Sequence, residues 1–176
     1  MIANKTIKSL EFDKILQAAS EYAVLDCTKK TIESFVPTTD FLQAKTLLNK
    51  TEEAYKLLFT YSVGGVFYFS DVSDALKRVD TGGVLNNSEL LKIADNLKSA
   101  RLLKNSVLSV NDDSIELLKQ IVLRLSIHAD FEKEITSKII SEENVSDNAS
   151  PRLFAIRKNI RDLNAKIRDK LNSYIR

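Results

Sequence analysis

The sequence predicts an all-α protein: a multi-helix core bundle from which a long C-terminal helix projects. Three observations carry this reading. Helix breakers are scarce, because the 176 residues hold four Gly, gathered as Gly64-Gly65 and Gly82-Gly83, and two Pro. Leu, Ile, Lys, Glu and Ala fill the stretches between them, and all are good or fair helix formers. Apolar residues recur at steps of three and four, the spacing that places them on one helical face.

The first helix is expected over Thr6 to Tyr22, with Thr6 as a cap and Ile7, Leu10, Ile15, Ala18 and Ala19 inward; the alternative is two helices with a kink near Leu10-Glu11. Val24 to Phe35 is the second, stopped by Pro37, which cannot donate an N–H and restricts the residue before it. Thr38-Thr39-Asp40 offers caps for a third helix from Phe41 to Tyr61, with Leu42, Ala44, Leu47, Leu48, Ala54, Leu57 and Leu58 as its inner face. Ser62 to Ser70 is a non-helical island: Gly64-Gly65 permits a tight turn, and Val66-Phe67-Tyr68-Phe69 favours extended backbone. Its aromatics are read as folding the loop onto the core. A base-stacking platform would need interleaved basic residues, which the loop lacks.

Asp71 or Ser73 caps a short helix through Val79, and Gly82-Gly83 can close it with a left-handed residue. Asn87-Ser88 starts a long helix to about Leu108 that carries Leu90, Leu91, Ile93, Ala94, Leu97, Ala100, Leu102 and Leu103. Asn111-Asp112-Asp113 opens the next, to about Leu125, and Ala129-Asp130 leads into Phe131 to Ile140. The polar run Ser141 to Asn148 is a turn.

The last helix is the stem. Leu153, Ile156, Ile160, Leu163, Ile167 and Leu171, continued by Ile175, form a stripe close to a heptad seam. Ser150 can accept from the first-turn N–H groups, and Pro151 suits the first helical position. No stop signal precedes Arg176, so the pattern predicts a helix that continues, with the chain cut mid-helix. The expected division is therefore a helical core domain over 1–149 and the start of a longer helix over 150–176.

Charge and chemistry narrow the function. The net charge of +2 hides an asymmetry: Pro151 to Arg176 holds eight basic and two acidic residues, leaving the stem at +6 and the rest at −4. Lys158, Asp162, Lys166 and Asp169 satisfy one another along the helix. Arg157, Arg161 and Arg168 share a column without an acid three or four positions away, so they are candidate contacts to carboxylates of a protein partner or, second, to phosphates. Catalytic and metal-binding constellations are absent: neither Gly pair leads into Gly-Lys as a phosphate-cradling loop requires. His128 is read as a polar residue near a helix end and Cys27 as a small core residue. Acidic pairs such as Glu52-Glu53 and Asp112-Asp113 are read as helix-start or turn residues. A lone cysteine, no signal peptide and no long apolar run predict a soluble cytoplasmic protein with no membrane contact.

Several segments together resemble the second bacterial MutS family, paralogues of the mismatch-repair protein MutS. They are Leu10-Glu11-Phe12-Asp13-Lys14-Ile15; Ala75-Leu76-Lys77-Arg78 with Gly82-Gly83-Val84-Leu85 and Glu89-Leu90-Leu91; and Asp147-Asn148-Ala149-Ser150-Pro151-x-Leu153 with Ile156-Arg157 and Ile160-Arg161. The order and spacing hold across essentially the whole chain, and the last segment is the most specific. The resemblance implies the N-terminal core and the first part of a lever helix leading toward a coiled-coil clamp. It also implies, in the intact protein, an ABC-type ATPase domain using ATP and Mg, often a C-terminal nuclease domain, and a homodimer. The family is linked to suppression of recombination through branched DNA and to rescue of collided ribosomes. This region itself carries none of the ATPase or nuclease motifs and needs no cofactor. The rival reading is a stand-alone helical adaptor that pairs through its C-terminal seam.

Overall fold

The computed structural model describes residues 8–64 and 67–175. Among these residues it is all-α, with eight helices: α1 (Phe12–Ser20), α2 (Asp26–Glu33), α3 (Phe41–Phe59), α4 (Ser73–Asp80), α5 (Asn87–Leu108), α6 (Glu116–Leu123), α7 (Ala129–Lys138) and α8 (Pro151–Ile175). Short 3-10 turns at Asp113–Ile115 and Asp147–Ala149 lead into α6 and toward α8. The expected cap Thr6, the Gly65-Val66 pair and Arg176 lie outside the described residues.

Helix α5 is the spine, and two apolar cores sit on its two halves. Its C-terminal half contributes Val107 to a cluster with Leu57 of α3, Val110, Ile115 and Val122 of α6. Its N-terminal half contributes Ala94 to a second cluster with Ile135 and Ile139 at the end of α7. An Arg101–Glu132 bidentate pair links α5 to α7, with Nε and Nη2 donating to the two carboxylate oxygens at 2.9 and 2.8 Å. Paired planar donors and acceptors of this kind fix orientation as well as distance. Lys104 reaches from α5 to the carbonyls of Leu123 and Leu125 at 3.2 and 2.8 Å, where the end of α6 leaves acceptors unfilled.

Several helix boundaries have a local cause. The kinked alternative holds at the start: Leu10-Glu11 is a turn, Glu11 has φ 53°, and α1 begins at Phe12. Asp40 accepts from the N–H groups of Leu42 and Gln43 as the cap of α3. Asn86 caps α5 and forms a reciprocal capping box with Glu89. After α4, Gly82 takes φ 85° and donates to Val79 O, while Gly83 donates to Arg78 O, both at 2.8 Å. That double bond pattern is the glycine C-cap anticipated for this pair. The described residues of the 62–72 segment, 62–64 and 67–72, are non-helical, and Tyr68 to Ser70 lie against α5. Asn96 exchanges two hydrogen bonds with the backbone of Ser70, and the Ser99 hydroxyl donates to Tyr68 O. These bonds give Asn96 and Ser99 partners on the side of α5 that the segment covers.

Three expectations need correction. The expected inner face of α3 is largely outside: Leu42, Leu48 and Leu58 are exposed, and only Leu57 and Glu53 are buried. The helix touches the core along its C-terminal half alone, through α6 and the 113–115 turn. Glu53 is not at a helix start but in the middle of α3. Its carboxylate accepts the Leu118 N–H at 2.8 Å, so it serves the free donors of another helix's first turn. Cys27 is exposed rather than a core residue. No described helix is long and apolar enough to cross a membrane.

Candidate functional site

The stem helix α8 and its root form the candidate site. The root is built from the end of α7. Ile139 pairs with Val145 as an isolated antiparallel bridge, and the Ser146 N–H donates to Lys138 O at 2.7 Å. Between them the 141–144 turn closes with Ile140 N–H donating to Asn144 O at 2.9 Å. This turn is fastened to the first turn of α5: the Asn87 amide donates to Glu142 O at 3.1 Å and the Ser88 hydroxyl to the Glu142 carboxylate at 2.9 Å. The root is therefore tied to both helices of the second core.

Ser150 and Pro151 then open α8 as anticipated, with the Leu153 N–H donating to Ser150 Oγ at 3.1 Å. The decisive contact follows. Arg157 Nη1 donates to Val145 O at 2.8 Å and to one oxygen of Asp147 at 2.5 Å. Arg161 Nη1 donates to the other Asp147 oxygen at 2.8 Å. One carboxylate thus clasps two guanidinium groups a helical turn apart. Two like charges at this spacing repel in an isolated helix, and the shared carboxylate relieves that repulsion. The arginines, Arg157 first and Arg161 second, hold the Asp147 carboxyl below its ordinary range.

The expectation of an unpaired arginine column is therefore corrected for Arg157 and Arg161. Their partner lies ten and fourteen positions back, in the 3-10 turn before the helix, where counting along the helix cannot find it. The signal was present in the motif that carries the family resemblance, which begins at Asp147 and ends at Arg161. Arg168 lies beyond the clasp, and among the described residues no acidic side chain pairs with it. Asp147 is the site residue that sequence reasoning missed.

Past the clasp the described residues of the stem, 158–174, are all exposed. Leu153 is half-buried at the root, but Ile156, Ile160, Leu163, Ile167 and Leu171 are 47 to 57% exposed. In a packed bundle these positions would face another helix. Phe154 adds an exposed ring beside Asn148, Ser150 and Pro151, which line a shallow open recess with it. His128 sits exposed at the start of α7 with no part in this cluster.

No protein-family model matches the chain. Individual proteins do. It is 36% identical over 173 residues to a protein named Endonuclease MutS2 from Clostridioides difficile, covering 97% of this chain and 22% of that protein. A protein of the same name from Agathobacter rectalis is 39% identical over 171 residues, 95% of this chain and 21% of its own length. Another from Acetivibrio thermocellus is 36% identical over 177 residues, with 98 and 22% covered. The chain spans 22% of the length of the first of these relatives. Across nearly all of its residues the chain is homologous to these proteins named Endonuclease MutS2, in keeping with the resemblance its motifs carry, and it corresponds to a segment of those longer proteins.

Proposed function

We propose that this chain is the helical core, residues 1–149, and the first part of the lever, residues 150–176, of a MutS2-type ATPase and endonuclease. The segment is non-catalytic and carries mechanical state between an ATPase and a clamp. The single observation that supports this reading is the form of α8: a continuous helix bonded at its root and exposed beyond it, with an apolar seam on one side. Its 25 residues span about 38 Å at 1.5 Å per residue. A rod fastened at one end transmits rotation of its base to its tip. Its seam gives a second helix of the same protein a surface to follow, and covering it contributes on the order of 1 kcal/mol per half-exposed Leu or Ile.

The whole protein on this reading binds ATP with Mg outside the present residues and acts as a cytoplasmic homodimer on branched DNA or on the ribosome. Arg168, which lies outside the Asp147 clasp that holds Arg157 and Arg161, marks the face of the rod nearest such a polyanionic or protein partner. Introducing Ile160→Asp together with Leu163→Asp into the protein carrying its ATPase domain tests the coupling. DNA-stimulated ATP turnover should fall several-fold while basal turnover and folding persist. Unchanged stimulation removes the lever role.

The exposed seam also favours a second reading, a helical adaptor that self-pairs through α8. Sedimentation of the 176-residue chain separates the two: the adaptor requires a dimer at low micromolar concentration that Ile160→Asp abolishes, whereas the lever reading expects a monomer.

A further inference from the structure

We propose that Asp147 is the positioning residue that sets the direction of the stem, a latch at the joint between the α5–α7 block and α8. For its mechanical consequence this rests on the lever reading above; the latch itself rests on geometry alone.

Five observations place the joint. The backbone leaves α7 at Lys138 and enters α8 at Pro151, so the connection is twelve residues long. The first part of that connection is immobilised on the block by the Ile139–Val145 bridge, the Ser146–Lys138 bond and the two bonds from Asn87 and Ser88 to Glu142. The last part belongs to the helix, through the Ser150 cap. Between the fixed turn and the helix stand only the Asp147–Ala149 3-10 turn and the backbone torsions of Ser150. Among the described helices, α8 has its extensive contacts with this turn alone.

A short segment with free torsions on both sides is a hinge unless a bond crosses it. Here one bond crosses it whole, from Arg157 to Val145 O, and the bonds of Arg157 and Arg161 to Asp147 span it from its first residue onward. Arg157 reaches back to Val145 O on the immobilised side, and both arginines reach Asp147. Two anchor points one helical turn apart constrain tilt as well as distance, which one point cannot do. The arrangement is also exchangeable. The Asp147 side chain is 40% exposed and that of Arg161 59%, so water and competing anions reach the clasp. A buried pair would be welded, whereas a partly exposed one contributes little to global stability and can open locally. The joint therefore combines a defined resting direction with a low cost of release.

Removing the carboxylate charge should loosen direction without unfolding the protein. The measurement is a distance distribution between spin labels at Asp95→Cys on α5 and Lys170→Cys on α8, in a Cys27→Ser background. All three positions are exposed. Asp147→Asn is expected to broaden or displace the distribution by several ångströms while helical content by circular dichroism stays constant. Asp147→Glu, which keeps the charge, should restore a narrower one. An unchanged distribution in Asp147→Asn overturns the proposal. If that variant loses helical content, Arg161→Gln replaces it, since it removes one arm of the clasp at an exposed side chain; the same two readings decide. No nucleotide or nucleic acid enters the measurement, so the latch can fail while the lever reading stands, and the reverse.

Discussion

The α5–α7 block and the α8 stem are both helices with leucine- and isoleucine-rich faces, yet they reach opposite ends of the burial scale. On the block, Ala94 is 1% exposed and Ile135 6%. On the stem, Leu163 is 57% exposed and Leu171 56%. The difference is not in the pattern. The stem's seam is the more regular of the two, while α5 carries apolar residues around most of its circumference because α6, α7 and the 68–70 segment approach from several sides. A seam marks where a neighbour fits, and burial needs that neighbour to be present. The outer side of α3 repeats the lesson: Phe41, Leu48 and Tyr55 lie seven apart and are 75, 68 and 61% exposed. Between these two helices the regular seam is the exposed one and the blurred pattern the buried one, so periodicity by itself does not report burial.

The sharpest way to break that comparison is to truncate a side chain in each region. Ile115 is fully buried at the first core. Ile115→Ala should destabilise the chain by about 2–5 kcal/mol, the range for deleting a buried branched side chain and leaving a cavity. A loss of unfolding free energy, from urea titration, of less than a third of that would mean that the first core is loosely packed.

Next in size is Glu53→Ala. It removes the acceptor of the Leu118 N–H and leaves a donor inside the α3–α6 contact unmet, at a cost of about 1–3 kcal/mol. Glu52→Ala, one position away and exposed, should stay within about 0.5 kcal/mol. The adjacent pair tests whether position rather than charge decides, and equal effects would refute the cross-helix cap. Gly82→Ala should cost about 1 kcal/mol. An added methyl meets no atom within 4 Å there, so the penalty comes from the φ of 85° alone.

Much of this was legible in the residues. The start of α8 at Ser150-Pro151, the Asp40 cap of α3 and the glycine closure of α4 all follow from local chemistry within five positions. What escaped was set by partners far along the chain. Nothing near Glu53 says that its carboxylate serves α6, sixty-five residues on. Nothing in α8 says that Asp147 takes Arg157 and Arg161. The inner face of α3 was misread because its N-terminal half obeys the helical period as well as its C-terminal half does, and only the position of α6 tells them apart.

A smaller effect concerns acid. Asp112 is held at a pKa of about 2, first by the hydrogen bond from the Tyr61 hydroxyl and then by the Ser114 N–H. A carboxyl lowered in the folded state adds stability that is complete above its unfolded value near 4 and disappears as pH falls through the folded value. Tyr61→Phe should therefore raise the Asp112 titration midpoint seen by carboxyl NMR. The stability difference between the two proteins should be present at pH 7 and close between about pH 4 and pH 2. The exposed setting keeps the difference small.

The smallest expected effect is the most informative about the stem. Leu163→Ala removes an apolar side chain from the middle of the seam, the same class of change as in a core. Because Leu163 is already more than half in water and alanine is the better helix former, the change in stability should stay within about 0.5 kcal/mol. For a chain of this size that is a shift in Tm of no more than about 2 °C. The same substitution at Leu57, 6% exposed, should lower Tm several times further. If Leu163→Ala instead matches Leu57→Ala, the seam is covered in solution. Repeating the melt over a hundredfold range of protein concentration then shows by what: a Tm that rises with concentration means a second copy, and one that does not means that α8 folds back on its own block.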